Sequence, residues 1–115
     1  MYNTVMLIGR LTADPEVNKN ENKKDVSHIT LAVQRSYKNP DGIYEADFIR
    51  CTLWDQLATR VKEYCKKGDL ISVRGQIKTS SYELKGEKKY TSEVIVERLV
   101  FLSSKNKTEE EVLES

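Results

Sequence analysis

The chain has 115 residues, 38% of them hydrophobic and 32% charged, which fits one folded domain with a modest core and a well-solvated surface. Residues 1–102 carry 17 Lys and Arg against 14 Asp and Glu, whereas residues 103–115 carry two against four. This mildly basic body is compatible with a polyanionic partner without requiring one. The sequence has no signal-peptide pattern and no apolar run that could span a membrane, so it predicts a cytoplasmic protein.

The cysteine and histidine content argues against a metal site. Cys51 and Cys65 are 14 positions apart, without metal-ligand spacing, and His28 is the single histidine. Both cysteines fall on predicted core positions, so each is expected to act as a small hydrophobic residue. No metal ion and no cofactor is predicted.

The first predicted strand runs from Tyr2 to Leu11, and its Val5–Ile8 run is apolar on both alternating faces. One face would be core and the other could be a subunit contact. Pro15 ends this strand, and residues 18–26 are predicted to form a polar loop.

The second predicted strand runs from Ser27 to Lys38, with Ile29, Leu31 and Val33 alternating with polar residues. Tyr37 has the parity of that apolar set, so periodicity alone sends it inward. A bulge would turn it outward, but the sequence does not reveal one.

The third predicted strand lies in EADFIRCTLWD, residues 45–55, and alternates strongly. Ile49, Cys51 and Leu53 point to one face. The opposite face carries Phe48, Arg50, Thr52 and Trp54. Outward aromatic rings around an arginine suit single-stranded nucleic acid, because rings stack on bases and the guanidinium meets phosphate. A strand buried on both faces is the alternative interpretation.

A helix of about three turns is predicted to follow, with Asp55 as its N-cap and Gly68 at its end. Its apolar stripe has the spacing of one helix face and consists of Leu57, Val61, Tyr64 and Cys65.

The fourth predicted strand runs from Asp69 to about Tyr82, with Ile71, Val73 and Ile77 inward. The opposite parity carries Arg74, Gln76, Lys78 and Tyr82. The fifth, Tyr90–Leu102, is apolar on both parities and is expected to be covered on both sides. Residues 103–115 form an acidic tail, predicted to be disordered.

This order of elements predicts an all-β fold with one helix. A helix between strands three and four of a five-stranded set is typical of the Greek-key OB-fold barrel, which binds oligonucleotides across its middle strands.

Five segments together resemble the bacterial single-stranded-DNA-binding protein family: VMLIGRLTADPEV, ITLAVQRSYKN, EADFIRCTLWDQLA, YCKKGDLISVRGQIKTSSY and TSEVIVERLVFL. The likeness covers residues 1–102. It implies a homotetrameric OB-fold that wraps single-stranded DNA without sequence preference and protects it in replication, recombination, repair or DNA uptake. It further implies stacking by Tyr37, Phe48, Trp54 and Tyr82, and phosphate contacts by Arg35, Arg50, Arg74 and Lys78.

The tail departs from the family pattern. Many members continue through a Gly/Pro/Gln-rich linker to an acidic tip ending in Pro-Phe, which docks replication and repair enzymes, whereas this chain ends in KTEEEVLES. It looks similar to short paralogues and to phage or plasmid versions. Docking of partner proteins through the tail is therefore not expected.

Three other functional classes share this fold. A single-stranded RNA-binding domain of the cold-shock type would use the same chemistry. A protein-interaction module of the replication-restart kind would lack the aromatic face. A nuclease would need converging acidic or histidine side chains, but Asp14 with Glu16 and Asp47 with Asp55 have no such company. The sequence therefore predicts a binding protein and no enzyme.

Overall fold

The computed structural model of the protein describes residues 1–103. It contains six strands and one helix. In chain order these are β1 (Val5–Leu11), β2 (Asn18–Lys19), β3 (Asp25–Lys38), β4 (Tyr44–Trp54), α1 (Gln56–Tyr64), β5 (Leu70–Leu84) and β6 (Glu87–Ser103). The predicted tail lies outside the described residues, apart from Ser103 at the end of β6.

The five long strands close into a barrel in the order β1-β5-β6-β4-β3, and β1 pairs with β3 to complete the ring. All pairings are antiparallel except that of β4 with β6, which is parallel where Cys51 meets Val94. The OB-fold prediction is confirmed. The helix lies between β4 and β5 in this numbering because the short β2, which the sequence did not predict, precedes it.

The core lies inside the barrel, where alternate residues of each strand meet. Buried positions on β3 and β4 include Leu31, Cys51 and Leu53, as their alternation predicted. The helix closes one end of the barrel. It buries Ala58 and Val61, and the rest of the cluster is Leu11, Ile29, Cys65, Ile71, Val73, Val94, Val96 and Leu99.

The ends of the helix differ from the prediction. Asp55 is the N-cap residue, but its φ of 55° lies in the left-handed region and its side chain makes no capping hydrogen bond. The helix ends at Tyr64, four residues before Gly68, which instead has a φ of 91° in the following turn. Tyr64 is exposed and packs against the ring of Phe101 at a centroid distance of 5.5 Å.

Two bulges in β6 change which residues face inward. Register shifts against β5 leave Glu97 and Leu102 without a partner residue. Val96 and Leu99, three positions apart, are therefore both buried, while Val100 is exposed. The expectation that this strand is covered on both sides was wrong for the single chain. Apolar residues occupy both parities because the bulge moves the inward-facing positions from even to odd residue numbers.

β6 still pairs with β4 at Val94 and Ile95, so the barrel extends to Ile77 of β5. Beyond it, β5 and β6 continue as a two-stranded ribbon that pairs from Lys78–Glu93 to Leu84–Glu87, and residues 78–90 are exposed throughout. Ile77 pairs with the core residue Val94, on the inward face as predicted, but it is 47% exposed because it lies at the edge of the barrel where the ribbon begins. The ribbon and the outer faces of β3 and β4 carry most of the predicted binding residues.

Candidate nucleic-acid interface

The outward row of β4 contains two open side chains. Phe48 is 68% exposed and Arg50 is exposed, and they lie two residues apart on the same face. Their partners across β3 are Ala32 and Thr30. Because both partners are small, nothing on the neighbouring strand covers the phenyl ring. The barrel thus holds an aromatic ring and a cation side by side on a rigid strand.

The other two residues of the outward row of β4, Thr52 and Trp54, are less exposed to solvent. Trp54 is half-buried opposite Val26 at the end of β4. Thr52 has outward parity but is buried, because its hydroxyl lies between His28 and Glu93. The alternation that placed these residues on the outer face does not distinguish an open position from one covered by neighbouring side chains.

Tyr37 lies outward, 64% exposed, at an irregular point of β3. Gln34 pairs with Ala46 and Lys38 with Tyr44, so three residues of β3 face only Glu45 across the ladder. This register shift is the kind of bulge that turns a side chain to the other face. Periodicity could not place Tyr37 because the extra residues leave no mark in the apolar pattern.

Ion pairs of Arg35 link β3 to β4 at the bulge. The guanidinium of Arg35 donates to both carboxylate oxygens of Asp47, with the shortest contact 2.8 Å, and to Glu45 at 2.9 Å. The hydrogen bonds and charge of Asp47 raise the pKa of Arg35, and the hydrogen bond from Arg35 lowers that of Asp47. Arg35 is thus paired with two carboxylates beside Tyr37.

Lys78 and Tyr82 lie on the same face of the ribbon, four residues apart on β5. Lys78 is exposed and pairs in register with Glu93, which also accepts the hydrogen bond of Thr52. That link connects this face of the ribbon to the β4 row. Tyr82 is 52% exposed, opposite Lys89.

Arg74 lies elsewhere on the outer surface. It pairs with Met6 of β1 on one side and with Arg98 of β6 on the other. A shallow cleft at this point is lined by these three residues together with Ser72 and Val100. Arg74 lies opposite Arg98 on β6, beyond the Val94 and Ile95 positions at which β6 pairs with β4, so Arg74 does not border the Phe48 row. The structure therefore brings Arg50 and Lys78 towards one surface and leaves Arg74 on another.

Two exposed tyrosines were not singled out from the sequence. Tyr90 lies on the ribbon face opposite to that of Tyr82, with Lys88 Nζ 5.7 Å from its ring centre. Tyr44 has Lys38 Nζ at 5.5 Å from its ring centre. Lysine and tyrosine in such pairs attract each other. Lys88 and Tyr90 are two residues apart on one strand, whereas Lys38 and Tyr44 are register partners on two strands. The first spacing is visible in the sequence and could have identified Tyr90.

A cleft of about 470 Å³ lies on the outer surface where β1 meets β3. Ala32, the register partner of Phe48, and Ala46, two residues before Phe48, both line it. Its other lining residues are Ile8, Gly9, Arg10, Gln34, Tyr44 and Leu70. Phe48 itself is not one of them.

Two of the four acidic residues considered for catalysis, Asp14 and Asp47, have structural partners. Asp14 accepts a hydrogen bond from the backbone of Lys67 at 2.7 Å, and Asp47 is held by Arg35. Among residues 1–103 no three His, Cys, Asp or Glu side chains gather in a way that could hold a metal ion. In that same part of the chain, no helix is long and apolar enough to cross a membrane.

The closed barrel, the position of its helix and the aromatic row on β4 define an OB-fold domain. The model of the single-strand binding protein family matches residues 2–102. Single-stranded DNA-binding protein B of Bacillus subtilis (strain 168) is 45% identical over 106 residues, which cover 91% of this chain and 94% of that protein. Single-stranded DNA-binding protein 1 of Lactococcus lactis subsp. lactis (strain IL1403) is 44% identical over 110 residues, covering 95% and 73%. The chain belongs to the single-strand binding protein family.

Proposed function

We propose that the protein binds single-stranded DNA without sequence preference, through base stacking and phosphate contacts. The observation that carries this proposal is the open pair on β4, where Phe48 is 68% exposed beside Arg50. A large ring left uncovered on a folded surface needs a flat partner, and an adjacent cation favours one with negative charge. The names of the relatives from Bacillus subtilis and Lactococcus lactis agree with this ligand.

In the proposed complex, bases stack on Phe48, Trp54, Tyr37 and Tyr82, each contributing roughly 1–3 kcal/mol by truncation. Phosphates meet Arg50 and Lys78, and their counterions are released, so affinity falls as salt rises. Every base offers a flat face, which accounts for tolerance of sequence. Duplex DNA is a poor ligand because its bases are already stacked on each other.

The pairing of Arg35 favours a supporting role. Its guanidinium neutralises Asp47 and Glu45, two carboxylates that would otherwise repel phosphate beside Tyr37. We therefore infer that Arg35 contributes to binding by holding the bulge and cancelling that negative charge, and only secondarily by touching phosphate.

A homotetramer is proposed from the family resemblance. An outer patch of the single chain supports a subunit contact: Met6 and Ile8 on β1 are 73% and 55% exposed, and Val100 on β6 lies beside them through Ser72. Arg74 lies in this patch, which favours a role in subunit contact over the predicted phosphate contact. Light scattering coupled to size-exclusion chromatography measures the oligomeric state.

The biological role proposed for this binding is protection of single strands in the cytoplasm during replication, recombination, repair or DNA uptake. Binding is stoichiometric and involves no catalysis. Replication or repair proteins are proposed as further partners.

One titration tests the proposal. Poly(dT), a matched poly(rU) and a duplex are titrated against the protein at two salt concentrations, with the fluorescence of Trp54, the one tryptophan, as the signal. Tight, salt-sensitive binding of poly(dT) with weak binding of duplex is expected. Preference for poly(rU) would favour the RNA-binding alternative, and equal affinity for duplex would contradict the stacking mechanism.

A further inference from the structure

A chain of two hydrogen bonds crosses three strands beside the proposed DNA-binding surface. His28 Nδ1 on β3 lies 3.1 Å from the hydroxyl of Thr52 on β4. That hydroxyl donates in turn to Glu93 Oε2 on β6 at 2.6 Å. His28 is exposed, whereas Thr52 is buried. The imidazole is therefore anchored at one edge and open at the other.

Proton counting assigns the tautomer of this ring. The threonine hydroxyl has one hydrogen, and its 2.6 Å contact gives that hydrogen to the Glu93 carboxylate, which can only accept. The contact with His28 therefore needs its hydrogen on Nδ1. In the neutral ring Nε2 then carries a lone pair, and any further proton is added at Nε2. Among residues 1–103, Nε2 has no hydrogen-bond partner.

The charged groups around His28 come from several strands. On the same outer face, Arg50 lies diagonally across on β4, Glu93 lies beyond Thr52, and Lys78 pairs with Glu93 on β5. Arg10 of β1 pairs with Ala32, four residues farther along β3. On β2 and α1 the charged groups Lys19, Lys62 and Glu63 gather around Asp25, whose parity on β3 is opposite to that of His28.

We propose that His28 is a further contact residue for the DNA backbone, and that it contacts phosphate through Nε2–H only when the imidazole is protonated. This inference rests on the proposed binding of single-stranded DNA. The neutral ring presents a lone pair to a phosphate, which gives no hydrogen bond, whereas the imidazolium presents a donor and a charge. Because the Thr52–Glu93 link already fixes the ring, protonation needs no rearrangement. DNA binding therefore takes up a proton at His28.

The test exploits the fact that the chain has one histidine. Imidazole groups in general change charge between about pH 5 and 8. The slope of log affinity for a dT oligomer against log salt is measured at about pH 5.5 and about pH 8. For the wild type the slope is expected to be more negative by about 0.7 per bound chain at the lower pH, since one more phosphate is neutralised.

Two variants separate a phosphate contact from a structural role. His28→Asn keeps an amide donor near Thr52 without a titrating charge, and its slope should be the same at both pH values. His28→Arg keeps a permanent cation, and its slope should be steep at both. The three proteins differ only at residue 28, so a pH effect that all three share is assigned to other groups.

A wild-type slope that does not change with pH while dT binding remains tight would overturn the role of His28. Equal steepening in His28→Asn would do the same, since another group would then be responsible. Failure of the wild type to bind dT at either pH would instead overturn the proposed function, and this inference with it.

Discussion

Truncation of Phe48 is expected to weaken DNA binding with little effect on folding, because Phe48 is more exposed than Trp54, the other proposed stacking residue on β4. Full burial of a phenylalanine side chain contributes about 1.5–3 kcal/mol, and only about a third of Phe48 is covered. Phe48→Ala should therefore lower the free energy of unfolding by about 0.5–1 kcal/mol. Loss of one stacked base should weaken binding by about 1–3 kcal/mol, roughly 5- to 150-fold in affinity. The binding loss should exceed the folding loss.

The assay is a fluorescence titration with a dT oligomer of about eight nucleotides, within the roughly 4–16 nucleotides that one OB fold covers. Trp54 is retained in the variant and reports stacking by quenching. Phe48→Tyr keeps a ring and serves as the matched control, with affinity expected near that of the wild type. Urea unfolding of all three proteins measures the folding term.

Affinity of Phe48→Ala within twofold of the wild type, with its fold intact, would refute the stacking role of the β4 row. Trp54→Ala is also predicted to lose about 1–3 kcal/mol of binding with an intact fold, measured by the anisotropy of a dye-labelled dT oligomer because this variant lacks the one tryptophan. Because Trp54 is half-buried against Val26, its effect on unfolding must be measured before its binding loss is interpreted.

Three further outcomes are expected. Lys78→Ala should make the slope of log affinity against log salt less negative by about 0.7, because one phosphate contact is lost; Arg74→Ala tests whether its predicted phosphate contact exists. Gly75→Ala should destabilise the protein strongly, by about 3 kcal/mol or more in urea unfolding, since the added methyl would overlap the carbonyl oxygen of Ile95. Cys51 should not react with Ellman's reagent near pH 8 until the protein unfolds, because burial and the charge of Glu93 raise its pKa to about 11.

Two of these outcomes have a control variant on the same chain. Lys62→Ala, on the exposed side of α1, should leave the salt slope unchanged, and a change would point to an unspecific charge effect. Gly86→Ala adds a methyl group into open space at a φ of 81°, so it should cost only about 1 kcal/mol. Rapid reaction of Cys51 in the native protein would contradict its burial.

The alternation of apolar residues was sufficient to predict the barrel and the inner face of its middle strands. Ile29, Leu31, Cys51 and Leu53 have the parity expected of core residues, and each is buried. Such a pattern is reliable where a strand is regular and one of its faces is solvated, because each side chain then has a single environment.

Prediction failed where the backbone departs from regular pairing. The bulge before Lys38 turns Tyr37 outward, and the bulge at Glu97 switches the inward parity of β6. Neither bulged segment itself contains a glycine or a proline, although Gly75 lies opposite the bulge at Glu97 on the partner strand. Asp55 was predicted to cap the helix, yet its backbone adopts a left-handed conformation in which the side chain makes no capping bond. These features depend on contacts between distant strands.

The residues of the candidate interface were likewise predicted in part. Parity placed Phe48 and Arg50 on one face, but it gave no sign that Thr52 is covered by Glu93, 41 residues farther along the chain. The separation of Arg74 from the β4 row follows from the pairing of β6, which meets β4 at Val94 and Ile95 but meets Arg74 farther along, at Arg98. Rows that look alike in the sequence can lie on different sides of a closed barrel.

The ribbon formed by residues 78–93 has solvent on both sides along most of its length and no hydrophobic core of its own. Its shape depends mainly on the backbone ladder, so amide exchange should become faster from the barrel towards Gly86. A ribbon of this kind bends and twists as an elastic arm. Tyr82 near its tip would therefore sample a range of distances from Phe48, and a passing strand could be captured by one aromatic ring before it settles on the other.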